Sequence, residues 1–391
     1  MRASNVFLGL TAGLLLGLGA LPPGEARACG GGVVSEGVDA NVSVGAQRVF
    51  VSVRKDGTTD IVTQLAVSGT SRFGVLIPLP SAPTLDETPI DTRELDALDA
   101  ATQVHFFSRE EWADDDGESS GCGSSADAGG QEKTFDGSNG AGEGVTASEF
   151  VDVGPVTAVV LTADDGASLT AWLQENGFAV ATNDQSVIDA YVGEGRHFLA
   201  FKRADGAPTG ETSVGVHFSL AGDQRGYPLR MARLGAGSEI AITTFVASEY
   251  GAAPTAPFAT LTLDDLQAVE GETPEGIEAS YKEAIRAAVR DRSGKAFVIE
   301  GVYGADEALA RAPKLDSLAE PGYRLTRLTT IMTASSLDTD VAFTAPAPEV
   351  VPTSHELGVA GPTSPQGTKQ AFVLFGMLLP ALAGLSRRRW R

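Results

Sequence analysis

Residues 47–67 read QRVFVSVRKDGTTDIVTQLAV and carry the clearest fold signal in this 391-residue chain. Two runs rich in β-branched and aromatic side chains, 47–54 and 60–67, flank the turn at 55–58, which reads Lys-Asp-Gly-Thr. An Asp-Gly pair between two such runs is a strong hairpin signal. The sequence therefore predicts two antiparallel strands near the start of the domain.

Outside this hairpin, strand patterns alternate with short helical ones. A third strand is predicted over 72–78, ending where prolines 78, 80 and 83 remove backbone donors. A helix is predicted over 91–103, because apolar side chains recur there at helical spacing. Beyond residue 145 the pattern predicts strands over 156–161, 197–202, 212–220, 238–247, 295–303 and 323–333, and helical segments over 168–176, 185–192 and 306–311.

The strongest helix signal begins at Thr273. Threonine is a good N-cap, Pro274 suits the first helical position, and apolar residues such as Tyr281 and Ile285 recur at three and four until Gly294. These patterns together predict a strand-rich α+β protein. Two lobes, a β-rich one over 29–109 and an α+β one over 145–343, are an arrangement that the intervening segment allows.

That intervening segment, 110–144, is acidic and rich in glycine and serine. It has too few large apolar side chains to offset the entropy of ordering, so it is predicted to be a disordered insertion. Asp114, Asp115 and Asp116 suggest weak divalent cation binding as the alternative. However, the spacing does not match a calcium-binding loop, and a solvated acidic loop is favoured.

The first 28 residues have the pattern of a secretory signal peptide. Arg2 is followed by the apolar run 6–21 and then by Ala26-Arg27-Ala28, an A-x-A cleavage site. Cleavage between Ala28 and Cys29 would make Cys29 the first mature residue. Lipid modification of Cys29 is the alternative, although Ala26 and Arg27 fit a lipoprotein site poorly.

The last 21 residues have the pattern of a membrane anchor. Residues 371–386 are predicted as a short transmembrane segment, since 371–385 carries no charge and would cover about 22 Å as a helix, at 1.5 Å per residue. The basic tail 387–391, with Arg387, Arg388, Arg389 and Arg391, would stay in the cytoplasm by the positive-inside rule. The proline-rich segment 344–370 is predicted to be a stalk. Retention and proteolytic removal of the tail both stay open.

Charge narrows the range of partners. The whole chain carries a net charge of −22, and removing 1–28 and 369–391 leaves 22 basic and 50 acidic side chains, a net charge of −28. A protein segment with this net charge would repel nucleic acid and anionic lipid, so no nucleic-acid partner is expected. The predicted location is outside the cytoplasm, at the cell membrane or the cell surface.

The chain has two cysteines, Cys29 and Cys122. Both lie in glycine-rich sequence, and an exported protein meets an oxidising environment, so one disulfide between them is a candidate. A catalytic cysteine is not favoured, because no histidine stands in a recognisable partner motif.

No motif for catalysis, cofactor binding or metal binding is found. The sequence lacks G-x-S-x-G, H-E-x-x-H, G-x-x-x-x-G-K-[ST] and paired C-x-x-C patterns, and its four histidines are scattered. Strand alternation places His217 on the face opposite Val216 and Phe218, where a partly exposed surface histidine is expected. The sequence thus predicts no catalytic residue, no metal ligand and no cofactor.

Five short motifs, in order, resemble the uncharacterised bacterial family known as domain of unknown function 2330. They are ACGG at 28–31, FGVLIPLP at 73–80, LxxWLxxNGF at 169–178, YPLR at 227–230 and LTRL at 325–328. The resemblance implies an exported protein with a C-terminal membrane segment, and it implies no activity. Members often carry further cysteines near the start and in the glycine-rich insertion, which this chain lacks.

Taken together, the sequence favours a non-enzymatic binding or structural domain tethered to the cell envelope. An envelope protein or a surface polymer is the expected partner. The alternative is an extracytoplasmic hydrolase that uses carboxylates or a bound divalent cation. A concave pocket with buried acids of raised pKa would favour the enzyme.

Overall fold

The structure, a computed structural model, describes residues 31–34, 47–67, 73–108, 143–176, 185–204, 206–207, 212–234, 238–346 and 356–360. The predicted signal peptide, both cysteines, nearly all of the acidic insertion and the predicted membrane segment lie outside these residues. So do the cleavage site at Ala28 and Cys29 and the four arginines of the basic tail. Among the helices that are described, none is both long enough and apolar enough to cross a membrane.

Strands dominate the described residues. In chain order they are β1 Gly31–Val34, β2 Gln47–Val53, β3 Thr58–Val67, β4 Phe73–Leu79, β5 Thr84–Leu85, β6 His105–Ser108, β7 Val145–Ala147, β8 Val151–Val153, β9 Val156–Ala163, β10 His197–Arg203, β11 Thr212–Ala221, β12 Gly226–Tyr227, β13 Glu239–Ser248, β14 Ala253–Pro254, β15 Ala259–Thr262, β16 Val269–Glu270, β17 Ala296–Gly304, β18 Arg324–Thr333, β19 Val341–Thr344 and β20 Glu356–Ala360.

Helices are fewer, although the longest of them, with 18 residues, exceeds every strand described. They are α1 Thr92–Thr102, α2 Gly166–Glu175, α3 Gln185–Gly193, α4 Leu229–Ala232, α5 Pro274–Asp291, α6 Ala305–Ala308 and α7 Pro313–Asp316. The structure therefore confirms a strand-rich α+β protein.

The hairpin predicted at 47–67 is confirmed as β2 and β3, which pair antiparallel. Gly57 has a φ of +88°, a left-handed conformation that favours glycine. The Asp56 carboxylate accepts a hydrogen bond of 2.8 Å from the Thr58 backbone N–H. Local chemistry in the turn thus suffices to fix the register of the two strands.

The helix predicted from Thr273 is confirmed as α5. The Thr273 side chain accepts a hydrogen bond of 3.2 Å from the Gly276 N–H, and Pro274 occupies the first turn. The buried face includes Tyr281, Ile285 and Val289.

Two large sheets organise the molecule. The first, here called the large sheet, has the order β15-β17-β18-β13-β2-β3-β11-β5, and the second has β1-β4-β10-β9-β7, with β8 also paired to β9. Two three-stranded sheets, β12-β19-β14 and β16-β20-β6, complete the fold. Residues 29–109 and 145–343 contribute strands to both larger sheets, so the acidic insertion does not separate one sheet from another.

The two larger sheets pack face to face, and helices cover their outer faces. Alternate residues of β2 show this arrangement: Val49 and Val51 belong to the apolar core between the sheets, while Phe50 packs with α1, α6 and α7 on the other side. The outer face of the second sheet packs against α2 and α3 through side chains such as Phe198 and Trp172. The order of layers is therefore helix, sheet, sheet, helix.

Two segments differ from their predicted structure. Strand β4 continues through Pro78 to Leu79, because its β1 neighbour pairs only with 73–76 and leaves one side of Pro78 without a strand. Within the predicted stalk 344–370, Glu356–Ala360 forms β20, which pairs in parallel with β6 and β16. Strand pairing replaces an extended proline-rich conformation there, because the segment itself contains no proline.

Candidate functional site

A cavity of about 460 Å³ lies between the two larger sheets. It is found where β4 and β11 end and β10 begins, and β12 and β19 form part of its wall. The apolar lining residues are Val49, Ile61, Ile77, Pro78, Leu79, Pro80, Phe218, Leu220, Gly226, Pro228, Val341, Ala342 and Phe343.

The apolar wall follows from strand alternation. Ile61 on β3 and Phe218 and Leu220 on β11 all point to the inner face of the large sheet, and each is at most 7% exposed. From the second sheet, Ile77 and Leu79 point back toward them. The inner faces of two sheets therefore supply a continuous apolar surface at one end of the sandwich.

Thr63 interrupts this apolar wall. It lies on β3 between Ile61 and Leu65, opposite Val49 on β2 and Val216 on β11. The side chain lines the cavity and is 2% exposed, and its hydroxyl has no hydrogen-bond partner among the residues that the structure describes. Tyr227 also lines the cavity, but its hydroxyl donates a hydrogen bond to Gln47.

Charged side chains surround the cavity and pair with one another. Arg225 donates two hydrogen bonds to Asp223, of 2.8 and 2.6 Å. Asp340 accepts hydrogen bonds from the Tyr191 hydroxyl at 2.7 Å and from the Arg230 guanidinium at 2.9 Å. These contacts neutralise both carboxylates that line the cavity.

Two pKa shifts reflect this network. Burial raises the pKa of Tyr191, and the neighbouring Asp340 raises it further, so the hydroxyl stays protonated and acts as a donor. Burial alone would lower the pKa of Arg230, but hydrogen bonds with Glu194 and Asp340 raise it overall. In the network near the cavity, Tyr191 therefore stays neutral and Arg230 stays positively charged.

His217 lies on the opposite face of the large sheet from the cavity. Its Nε2 is 2.9 Å from Asp60 Oδ1 and its Nδ1 is 3.4 Å from Asp86 Oδ2. The side chain is 12% exposed, which agrees with the predicted partly exposed histidine. The sequence did not predict that carboxylates from β3 and from the segment after β5 would flank it. Asp60 also accepts hydrogen bonds from Ser219, at 2.7 Å, and from Arg54.

A second buried ionic cluster joins helices to the large sheet. The Glu300 carboxylate on β17 accepts hydrogen bonds from Tyr281 on α5, Arg327 on β18 and Thr329, the last at 2.8 Å. Arg327 in turn donates a hydrogen bond of 2.5 Å to Asp99 on α1. Burial and the nearby Glu300 raise the pKa of Tyr281 well above its ordinary range. Every charged group here has a partner, which indicates a structural role.

Metal binding finds no support within the described residues. No group of three or more His, Cys, Asp or Glu side chains is placed there to hold a metal ion. Asp114, Asp115 and Asp116, the predicted weak cation site, lie outside the described residues, as do Cys29 and Cys122.

Sequence reasoning missed the cavity residues. Thr63 does leave a signal, because it is a polar residue at an inward position of an otherwise apolar alternation, Ile61-x-Thr63-x-Leu65. Tyr227, which lines the cavity, and Arg230, which lies beside it, both belong to the YPLR motif, to which the sequence assigns no role. Asp340 gives no local signal, since its partners Tyr191 and Arg230 are more than 100 residues away in the sequence.

A family model described as an uncharacterized protein conserved in bacteria (DUF2330) matches residues 23–344. No curated protein matches the chain. Among solved structures, a mutated baculovirus P35 after caspase cleavage aligns over 77% of this chain and 98% of its own, with 7% sequence identity and a TM-score of 0.26. This structural similarity is too weak to support a statement about fold or function.

Proposed function

The chain belongs to the bacterial family DUF2330, and from that premise we propose that it is a non-enzymatic binding protein of the cell envelope. Its ligand is a small molecule that occupies the cavity between the two larger sheets. The cavity carries the proposal: its volume of about 460 Å³ falls within the range of ligand pockets, roughly 300–1,000 Å³, and its wall is largely apolar.

The cavity favours binding over hydrolysis. A carboxylate hydrolase needs a carboxylic acid that keeps its proton, which requires a raised pKa. Asp223 and Asp340, the two carboxylates that line the cavity, each form an ion pair with an arginine of the protein, as structural carboxylates do. Burial does raise the pKa of Glu94, but this carboxylate binds the backbone N–H groups of Lys314 and Leu315 at the start of α7.

Substitution at the cavity wall tests this proposal. Ala342 lines the cavity from β19 and its side chain is exposed, so Ala342→Trp should place an indole at the exposed edge of the cavity and obstruct it, with little effect on the core. Purified protein is titrated with Nile red, a neutral apolar fluorophore. We expect saturable binding to the wild type and at least about tenfold weaker binding to Ala342→Trp, the equivalent of about 1.4 kcal/mol.

Thr344→Trp is the matched control. Thr344 is exposed on the same face of β19 but does not line the cavity, so its substitution should leave Nile red affinity unchanged. Circular dichroism checks that both variants are folded. A folded Ala342→Trp protein with wild-type affinity for Nile red would place the binding site elsewhere and contradict the proposed function.

We further propose that the protein is exported and tethered to the membrane by its C-terminal segment. The signal-peptide pattern over 1–28 and the apolar run before Arg387 support this location. Intact-mass measurement of protein from the membrane fraction should give a chain from Cys29 to Arg391, two daltons heavier after reduction of a Cys29–Cys122 bridge. A chain that is cut near 361–368, or acylated at Cys29, would contradict this mode of attachment.

The remaining partner proposals follow from charge. The body carries a net charge of −28, so we propose an envelope protein or a surface polymer as the macromolecular partner, and no nucleic acid. Weak divalent cation binding by the acidic insertion is compatible with the same charge.

A further inference from the structure

Thr63 offers a hydrogen-bonding group inside an otherwise apolar part of the cavity. The side chain is 2% exposed, and its neighbours across the sheet, Val49 and Val216, are apolar. Within the described part of the chain its hydroxyl has no partner. A buried hydroxyl without a partner is unfavourable, because it has lost its hydrogen bonds to water.

A ligand in the cavity would lie against the Thr63 side chain. Because the hydroxyl oxygen itself has almost no exposed area, the side chain would have to rotate about its Cα–Cβ bond for the ligand to supply the missing partner. A threonine hydroxyl both donates and accepts, so either a hydroxyl or a carbonyl group on the ligand would match it. Tyr227 does not compete for that group, because its own hydroxyl already donates to Gln47. The deep polar contact therefore belongs to Thr63.

The charges around the cavity restrict the ligand further. Arg196, Arg225, Asp223 and Asp340 line it, so their formal charges cancel. Arg225 pairs with Asp223 at 2.6 and 2.8 Å, and Arg196 pairs with Glu194 at 3.2 Å. Asp340 accepts hydrogen bonds from Arg230 and Tyr191, at 2.9 and 2.7 Å. A charged ligand would have to replace one of these contacts, whereas an uncharged ligand leaves them all in place.

We propose that the cavity binds an uncharged molecule that has an apolar body and a hydroxyl or carbonyl group at its buried end. That group exchanges a hydrogen bond with Thr63 Oγ1, and the apolar body packs against Ile61, Leu79, Phe218 and Leu220. This proposal rests on the proposed function and defines the class of its ligand.

Three probes of the same shape test the ligand class. Naphthalene provides the apolar body alone, naphthol adds a hydroxyl, and naphthoate adds a negative charge. Affinities are measured by equilibrium dialysis against the wild type, Thr63→Val and Thr244→Val. Thr244 is the matched control: it is 1% exposed on β13, its hydroxyl likewise has no partner among the described residues, and it does not line the cavity.

We expect naphthol to bind the wild type more tightly than naphthalene or naphthoate. Thr63→Val should weaken naphthol binding about tenfold, since one neutral hydrogen bond is lost, and should leave naphthalene binding unchanged. Thr244→Val should bind naphthol as the wild type does. Because valine has nearly the shape of threonine, both variants should fold, and their thermal unfolding is recorded to verify it.

Each other outcome has a separate meaning. Equal naphthol affinity for the wild type and Thr63→Val would refute the role of Thr63, while cavity binding would stand. Tightest binding of naphthoate would refute the uncharged class. If naphthol and naphthalene bind Ala342→Trp as well as the wild type, the proposed function itself fails. Absence of binding of all three probes to the wild type would refute the ligand class.

Discussion

His217 shows how a single residue couples charge to stability. Burial would lower its pKa, but hydrogen bonds with Asp60 and Asp86 raise it above its ordinary value of 6.5. The hydrogen bonds with His217 likewise help to hold the pKa of Asp60 and of Asp86 below 3.8, against the effect of burial. Arg54 adds a positive charge beside Asp60. The folded state therefore stabilises a charged histidine between two carboxylates.

We predict that the contribution of His217 and its two carboxylates to the free energy of unfolding depends on pH in a defined direction. The raised pKa of His217 stabilises the folded state fully below pH 6.5, and this stabilisation decreases as the pH rises through the folded-state pKa of the histidine. The lowered pKa values of Asp60 and Asp86 stabilise the folded state above pH 3.8, and this stabilisation decreases as the pH falls through their folded-state pKa values. His217→Gln should therefore cost about 2 kcal/mol near pH 5, and less at alkaline pH, in urea unfolding measurements.

His197 provides a control of opposite sign. Burial lowers its pKa, so the folded state favours the neutral form and gains stability as the pH rises. The difference in unfolding free energy between the wild type and His197→Gln should thus grow with pH. If the His217→Gln difference also grew with pH, the charged state assigned to His217 would be wrong.

At the scale of elements, the short-range signals in the sequence predicted the secondary structure well. The Asp56-Gly57 turn and the Thr273-Pro274 cap act within a few residues, so the sequence alone predicted both the β2–β3 hairpin and α5. Strand alternation also placed His217 on the face opposite Phe218. These features depend on neighbours in the chain, and those neighbours are visible in the sequence.

Pairing between distant strands was not predictable in the same way. Strand β2 pairs in parallel with β13, almost 200 residues later, and β20 pairs with β6. No turn chemistry links such strands, and their register depends on three-dimensional packing. The carboxylates beside His217 were missed for this reason, because Asp60 and Asp86 reach it from two other elements.

Predicting the cavity would have required the same information about packing between distant strands. Thr63 was visible as a polar residue at an inward position, yet the sequence could not show that the facing sheet leaves space there. Its wall combines β2, β3, β4, β11 and β19, whose order in space follows from sheet topology. The sequence therefore predicted individual strands and helices, whereas the cavity arises from the way in which they pack.

At the scale of the whole molecule, the large sheet ties together both sides of the acidic insertion. Strands β2, β3 and β5 precede the insertion, and five strands of the same sheet follow it. Arg327 and Glu300 add buried contacts from β18 and β17 to Asp99 on α1 and Tyr281 on α5. Separating the two segments would expose the inner faces of both larger sheets.

We therefore predict that the protein survives a cut in its acidic insertion. A protease site inserted between Gly129 and Gly130 would leave Cys29 and Cys122 on the same piece, so no disulfide could join the two pieces. After cleavage the pieces should co-elute in size-exclusion chromatography and separate only in denaturant, because β2 and β3 lie between β13 and β11 in one hydrogen-bonded sheet. Unfolding followed by tryptophan fluorescence and by circular dichroism should then coincide in a single transition. Elution of two independent folded pieces without denaturant would instead favour two lobes and contradict the shared core.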